Sequence, residues 1–73
     1  MTEDDYVDLF CREMKEKIKV RHNRYTALGW KTLNQKRLMK LLEDEMEELK
    51  ESGNVNEAVD VANYALFIWA LKK

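Results

Sequence analysis

Apolar residues recur at helical spacing in three stretches of this chain. In the first, Val7, Phe10, Cys11, Met14 and Ile18 follow Thr2 and Asp5, which have the spacing of a capping box. This predicts a helix over about residues 3–24. Residues 25–31, YTALGWK, form the first link, with Gly29 as its turning point. Thr32 and Gln35 make a second capping box, opening a helix over about residues 32–52, and Gly53 sits where a left-handed residue ends a helix. Asn54 is placed to cap a third helix over about residues 55–71. Short links between long helices produce antiparallel neighbours. The expected fold is all-α: a three-helix chain with helices 2 and 3 antiparallel.

The third helix is apolar around most of its circumference, with only Asn56, Glu57, Asp60 and Asn63 clearly polar. Such a helix requires burial on every side, more than two partner helices of a small monomer supply. Completion of a four-helix-type bundle by oligomerisation follows as an expectation, as a homodimer or homotetramer.

Length and composition narrow the class. Seventy-three residues make a single domain, 1–73, with a marginal core, and the lack of proline and the presence of only two glycines disfavour a many-turned β fold. Cys11 is the sole cysteine, so no intrachain disulfide forms and a reducing compartment is the simpler reading. The acidic start MTEDDYVDLF lacks the layout of a signal peptide, and Val61 to Leu71 is too short to cross a bilayer. A soluble cytoplasmic protein without a membrane partner is expected. Charge is sorted along the chain: residues 1–11 carry −4, residues 12–40 carry +8, residues 41–60 carry −7 and the tail +2. A basic arm for nucleic acid, or a site combining cations with carboxylates, would produce this pattern.

The second helix decides between them. With Leu38 at zero and about 100° per residue, Leu42 falls at about 40°, Leu49 at about 20°, Leu41 at about 300° and Met46 at about 80°. Glu43 and Glu47 point away from this face. Glu45, at about 340°, lies inside it, Glu48, at about 280°, on its margin, and Asp44, at about 240°, further round. Helix 3 repeats the anomaly, because Glu57 and Asp60, also three apart, share one side of an apolar helix. Across the Gly53 turn the two pairs would face each other. Carboxylates about 4 Å apart repel by about 4 kcal/mol per pair at an effective dielectric near 20, so a cation or protons must sit among them. Oxygen ligands without a Cys or His cluster point to Mg²⁺, with Mn²⁺ also suitable, and Mg²⁺ readily accepts substrate phosphates. The bland alternatives are a solvated acidic surface in EDEMEELKE and a capping role for Glu57.

These residues carry a resemblance. DEMEE (44–48) followed by EAVD (57–60) resembles the EExxE…ExxD motif of the MazG-like all-α nucleoside triphosphate pyrophosphohydrolases, a superfamily that includes the dimeric dUTPases. Asn63 in DVAN and GWK (29–31) extend the likeness over about residues 20–70. The resemblance implies Glu45, Glu48, Glu57 and Asp60 as metal ligands. It also implies a catalytic role for Glu45 and Glu48, with Asp44 ligating or orienting a water. The implied reaction is Mg²⁺-dependent cleavage of the α–β phosphate bond of an NTP or dNTP, giving the monophosphate and pyrophosphate. The chain departs from the family in carrying Asp44 at the leading Glu position and in having only eight residues between Glu48 and Glu57. It also ends soon after helix 3, so a second subunit is expected to complete the pocket.

Arg21, Arg24, Lys31 and His22 lie in the basic segment, where guanidinium and ammonium groups suit a polyphosphate. Arg21, Arg24, Lys31, Trp30 and Asn63 are thus candidate substrate-binding residues, with Tyr25 beside them. Each also has a surface or packing reading: His22 as a solvated or structural group, Trp30 as a cover for a small core, and Tyr64 and Trp69 as core or interface residues. The rival function is a non-enzymatic helical oligomerisation and interaction module whose acids pair with basic groups of a neighbouring chain. No base-reading motif supports nucleic-acid binding.

Overall fold

The computed structural model describes residues 1–21 and 29–72, which form helices and turns and contain no strand. Among them are three helices, α1 (Glu3–Val20), α2 (Gln35–Ser52) and α3 (Glu57–Ala70). The all-α class expected from the periodicity holds.

The caps explain where the helices begin. Thr2 and Asp5 form the reciprocal capping box, with Asp5 N–H donating to Thr2 Oγ1 at 3.3 Å and Thr2 N–H donating to Asp5 Oδ2 at 2.9 Å. Glu3, Asp4 and Asp5 in the first turn of α1, and Lys17 and Lys19 in the last, oppose the helix dipole favourably. The described helix runs to Val20, with Arg21 N–H donating to Lys17 O at 2.9 Å, and its expected continuation to about residue 24 lies outside the described residues. The second capping box does not form. Gly29, at φ 59°, begins a turn whose carbonyl accepts from Thr32 N–H, Leu33 N–H and the Thr32 hydroxyl. Thr32 lies within that turn, and Asn34 is the residue that caps α2, its Oδ1 accepting from Arg37 N–H at 2.8 Å. Helix α2 therefore starts three residues later than its periodicity suggests. Helix α3 likewise starts two residues late, since Asn54 uses its side chain in an Asx turn to Asn56 N–H rather than as the helix cap.

Gly53 ends α2 in the left-handed conformation, φ 66°, with its N–H bonded to Leu49 O at 3.0 Å. A Cβ there would meet open space, so the penalty of a side chain is the backbone conformation alone. Gly53→Ala should therefore lower stability by about 1–2 kcal/mol, read as a reduced urea midpoint with an unchanged slope.

Helix α3 packs against both α1 and α2. Leu38, Tyr64 and Phe67 form the buried core, and Ile18, Trp30, Leu33, Leu41, Leu42, Ile68 and Leu71 pack around it. Helix α1 buries no residue fully, and Tyr6, Val7, Leu9 and Phe10 on its first half are exposed. No helix among the described residues is long and apolar enough to cross a membrane.

Candidate metal centre

The same register that buries Leu38 also buries Glu45, seven residues on and about two helical turns away. Glu45 is 4% exposed. The Gly53 link then returns the chain so that the first turn of α3 supplies Glu57, half-buried, and Asp60, 2% exposed. One carboxylate oxygen from each of Glu45, Glu57 and Asp60 lies within 4.8 Å of the others.

Three such groups are costly neighbours. At about 4.8 Å and an effective dielectric near 20, each ionised pair repels by about 3.5 kcal/mol. Two features of the fold offset this. Glu57 and Asp60 stand in the first turn of α3, where the helix dipole favours negative charge. Lys17 of α1 also reaches in, its Nζ 3.3 Å from Asp60 Oδ2. The donor set consists of hard, ionisable oxygens only, which suits a cation such as Mg²⁺ or Mn²⁺ and not a soft metal.

The other expected site residues are dispersed. Glu48 is exposed on α2, one turn beyond Glu45, and is outside the 4.8 Å group. Asp44 is exposed as well, and its Oδ1 pairs with Lys40 Nζ at 3.0 Å, a contact between groups one turn apart on the outer face of α2. The Asp44 carboxylate, by hydrogen bond and by attraction, raises the Lys40 ammonium above its ordinary pKa. Asp44 thus belongs to a surface pair rather than to the cluster, because one residue of helix turns it about 100° from Glu45.

Of the candidate substrate-binding groups, Arg21 closes α1 and is half-buried. With Glu13, Glu16, Lys17, Asn56 and Val59 it lines an open groove of about 400 Å³ in which two acids face two bases. Arg24, His22 and Tyr25 lie outside the described residues. Trp30 stacks on Phe67, ring centroids 4.4 Å apart and planes within 14°, which is the core-covering role rather than an open stacking platform. Lys31 is exposed, with Nζ 5.8 Å from the Trp30 ring centroid. Asn63 is fully buried and its Nδ2 donates to Met14 O at 3.4 Å. Its Oδ1 has no hydrogen-bond partner among the described residues. Tyr64 is a core residue, edge-on to Phe67, whereas Trp69 is 59% exposed.

Lys17 is the site residue that the sequence reading missed. The signal was present: Lys17 follows Phe10 by seven residues and Met14 by three, so it stands within the apolar stripe of α1. Like Glu45 on α2, it is a charge set on the apolar face of its helix.

Comparison of the chain with protein-family models, with curated proteins and with solved structures gives no match.

Proposed function

We propose that this protein is a Mg²⁺-dependent nucleoside triphosphate pyrophosphohydrolase that cleaves the α–β phosphate bond of an NTP or dNTP. The observation that carries this reading is the convergence of Glu45, Glu57 and Asp60 from two helices to within 4.8 Å. Two of the three are almost wholly buried, so the ligand atoms are gathered away from bulk water. The motif likeness of residues 44–48 and 57–60 to the MazG-like enzymes supplies the reaction type.

In this reading Glu45, Glu57 and Asp60 hold the ion. A divalent cation bound there supplies polarisation of a phosphoryl oxygen and an acidified water. Glu48 stands at the solvent rim, one turn from Glu45, as the further ligand that the likeness implies. Arg21, at the end of α1, offers paired hydrogen bonds to phosphate oxygens from the groove it shares with Lys17. Lys31 adds positive charge from the exposed side of the link. Asp44, held by Lys40, takes no part.

Helix directions fit this scheme. Lys17 meets Asp60 while Met14 meets Asn63, a pairing in which α1 and α3 run in opposite senses. The short turn at Gly53 favours the same for α2 and α3. Tyr6 (61% exposed), Val7 (57%) and Trp69 (59%) leave apolar surface that a second copy would cover, completing a four-helix-type bundle as a homodimer or homotetramer. Phe10→Glu should then shift sedimentation towards the monomer, and an unchanged oligomeric mass would argue against this face.

The non-enzymatic module remains the rival, and the Lys17–Asp60 ion pair is the observation in its favour. Assaying a panel of NTPs and dNTPs for pyrophosphate release, with Mg²⁺ and with chelator, separates the two. Release from at least one substrate only when Mg²⁺ is present supports the enzyme. Silence across the whole panel supports the module.

A further inference from the structure

We propose that Lys17 is a built-in stand-in for the divalent cation, holding Asp60 in the metal-free protein and yielding it when metal binds. The inference rests on the metal reading above and extends it to a residue of α1 that neither the motif nor its likeness includes.

Burying a carboxylate as deeply as Asp60, 2% exposed, is costly unless a charged partner or several hydrogen bonds compensate it. Lys17 provides the charge, at 3.3 Å from Oδ2. Its side chain is 25% exposed whereas that of Asp60 is 3% exposed, so the pair is buried on the acid's side and open on the lysine's. The open side is the groove that Lys17 and Arg21 share with Glu13, Glu16 and Asn56, where the ammonium has solvent and two further carboxylates to withdraw to. A lysine suits this exchange better than an arginine. It is a compact point charge on a flexible four-carbon stem, and it makes no two-pronged bond that would have to be broken together.

An ammonium and a divalent cation in contact with one carboxylate repel each other. Occupancy of Asp60 by one therefore weakens the other, and this coupling is reciprocal. Two consequences follow. Lys17 preserves the fold when no metal is present, tying α1 to α3 beside the Asn63–Met14 hydrogen bond. It also sets the metal affinity lower than the carboxylates alone would give.

The test uses the full chain and Mn²⁺ alone as probe, with Lys17→Met and Lys17→Gln as neutral variants and Lys17→Arg as the charge-retaining control. Titration calorimetry should show both neutral variants binding Mn²⁺ at least about fivefold more tightly than wild type, the lower end of typical site–site coupling. Lys17→Arg should bind no more tightly than wild type. In chelator the neutral variants should melt below wild type, and saturating Mn²⁺ should shrink that deficit. Binding by the neutral variants alone would support the proposal as well. Equal or weaker Mn²⁺ affinity in the neutral variants would overturn it, because a purely structural bridge or a lysine that positions Asp60 predicts that result. Failure of both neutral variants to fold even in saturating Mn²⁺ would also overturn it. If neither wild type nor any variant binds Mn²⁺, the metal reading falls and this inference with it, a result distinct from the others.

Discussion

Asp60→Asn should reduce Mg²⁺-dependent pyrophosphate release by at least about 10²-fold, the scale on which loss of one preorganised electrostatic contact reduces turnover. The substitution keeps the volume of a residue that is 2% exposed and removes one charge from the group formed with Glu45 and Glu57. Helicity is retained in this account, because the lost ion pair with Lys17 is a single contact between α1 and α3 and Asn63 still donates to Met14 O. Far-UV circular dichroism checks the fold while a coupled pyrophosphate assay reads the chemistry. Two acids on the same stretch of α2 serve as controls. Glu48→Gln, at the exposed rim, should cost less than Asp60→Asn, and Asp44→Asn should change activity by no more than about threefold, as expected for a surface pair. Equal losses at Asp44 and Asp60 would mean that the acidic surface as a whole, and not the converging group, supports the reaction.

Phe67→Ala should cost about 3–5 kcal/mol. Phe67 is 3% exposed, stacks on Trp30 and meets Tyr64 edge-on at 5.9 Å, so truncation opens a cavity beneath Trp30 and leaves that ring without its stacking partner. A domain of this length has a total stability of roughly 4–11 kcal/mol. The variant therefore retains little margin, and a substantial unfolded fraction is expected at 37 °C. Urea unfolding followed by circular dichroism measures it, at several protein concentrations because self-association adds to apparent stability. A loss under about 1 kcal/mol would show that Phe67 does not anchor the core.

The periodicity foretold the structure wherever one local interaction had no competitor. Thr2 and Asp5 had only each other, and Gly53 had a left-handed terminus to fill. At the start of α2 two residues of capping type stand close together, Thr32 and Asn34, and the turn at Gly29, which takes in the backbone N–H groups of Thr32 and Leu33, leaves Asn34 at the helix start. Spacing along the chain does not carry that information. Burial followed the same rule. Glu45, within about 20° of Leu38 on the helix, is buried with it, whereas Glu48, about 80° away, emerges into solvent. The first half of α1 is amphipathic in sequence yet exposed, because no described helix of this chain reaches its apolar stripe. Lys17 was legible too, as a charge set within the apolar stripe of α1.

Binding of Mn²⁺, followed by loss of its free-ion electron paramagnetic resonance signal, tests the shared-cation claim most directly. Wild-type protein should remove Mn²⁺ from solution, and the combined Glu45→Gln, Glu57→Gln and Asp60→Asn variant, still helical, should leave the free-ion signal undiminished. The same uptake by that variant, or no uptake by the wild type, would contradict the account.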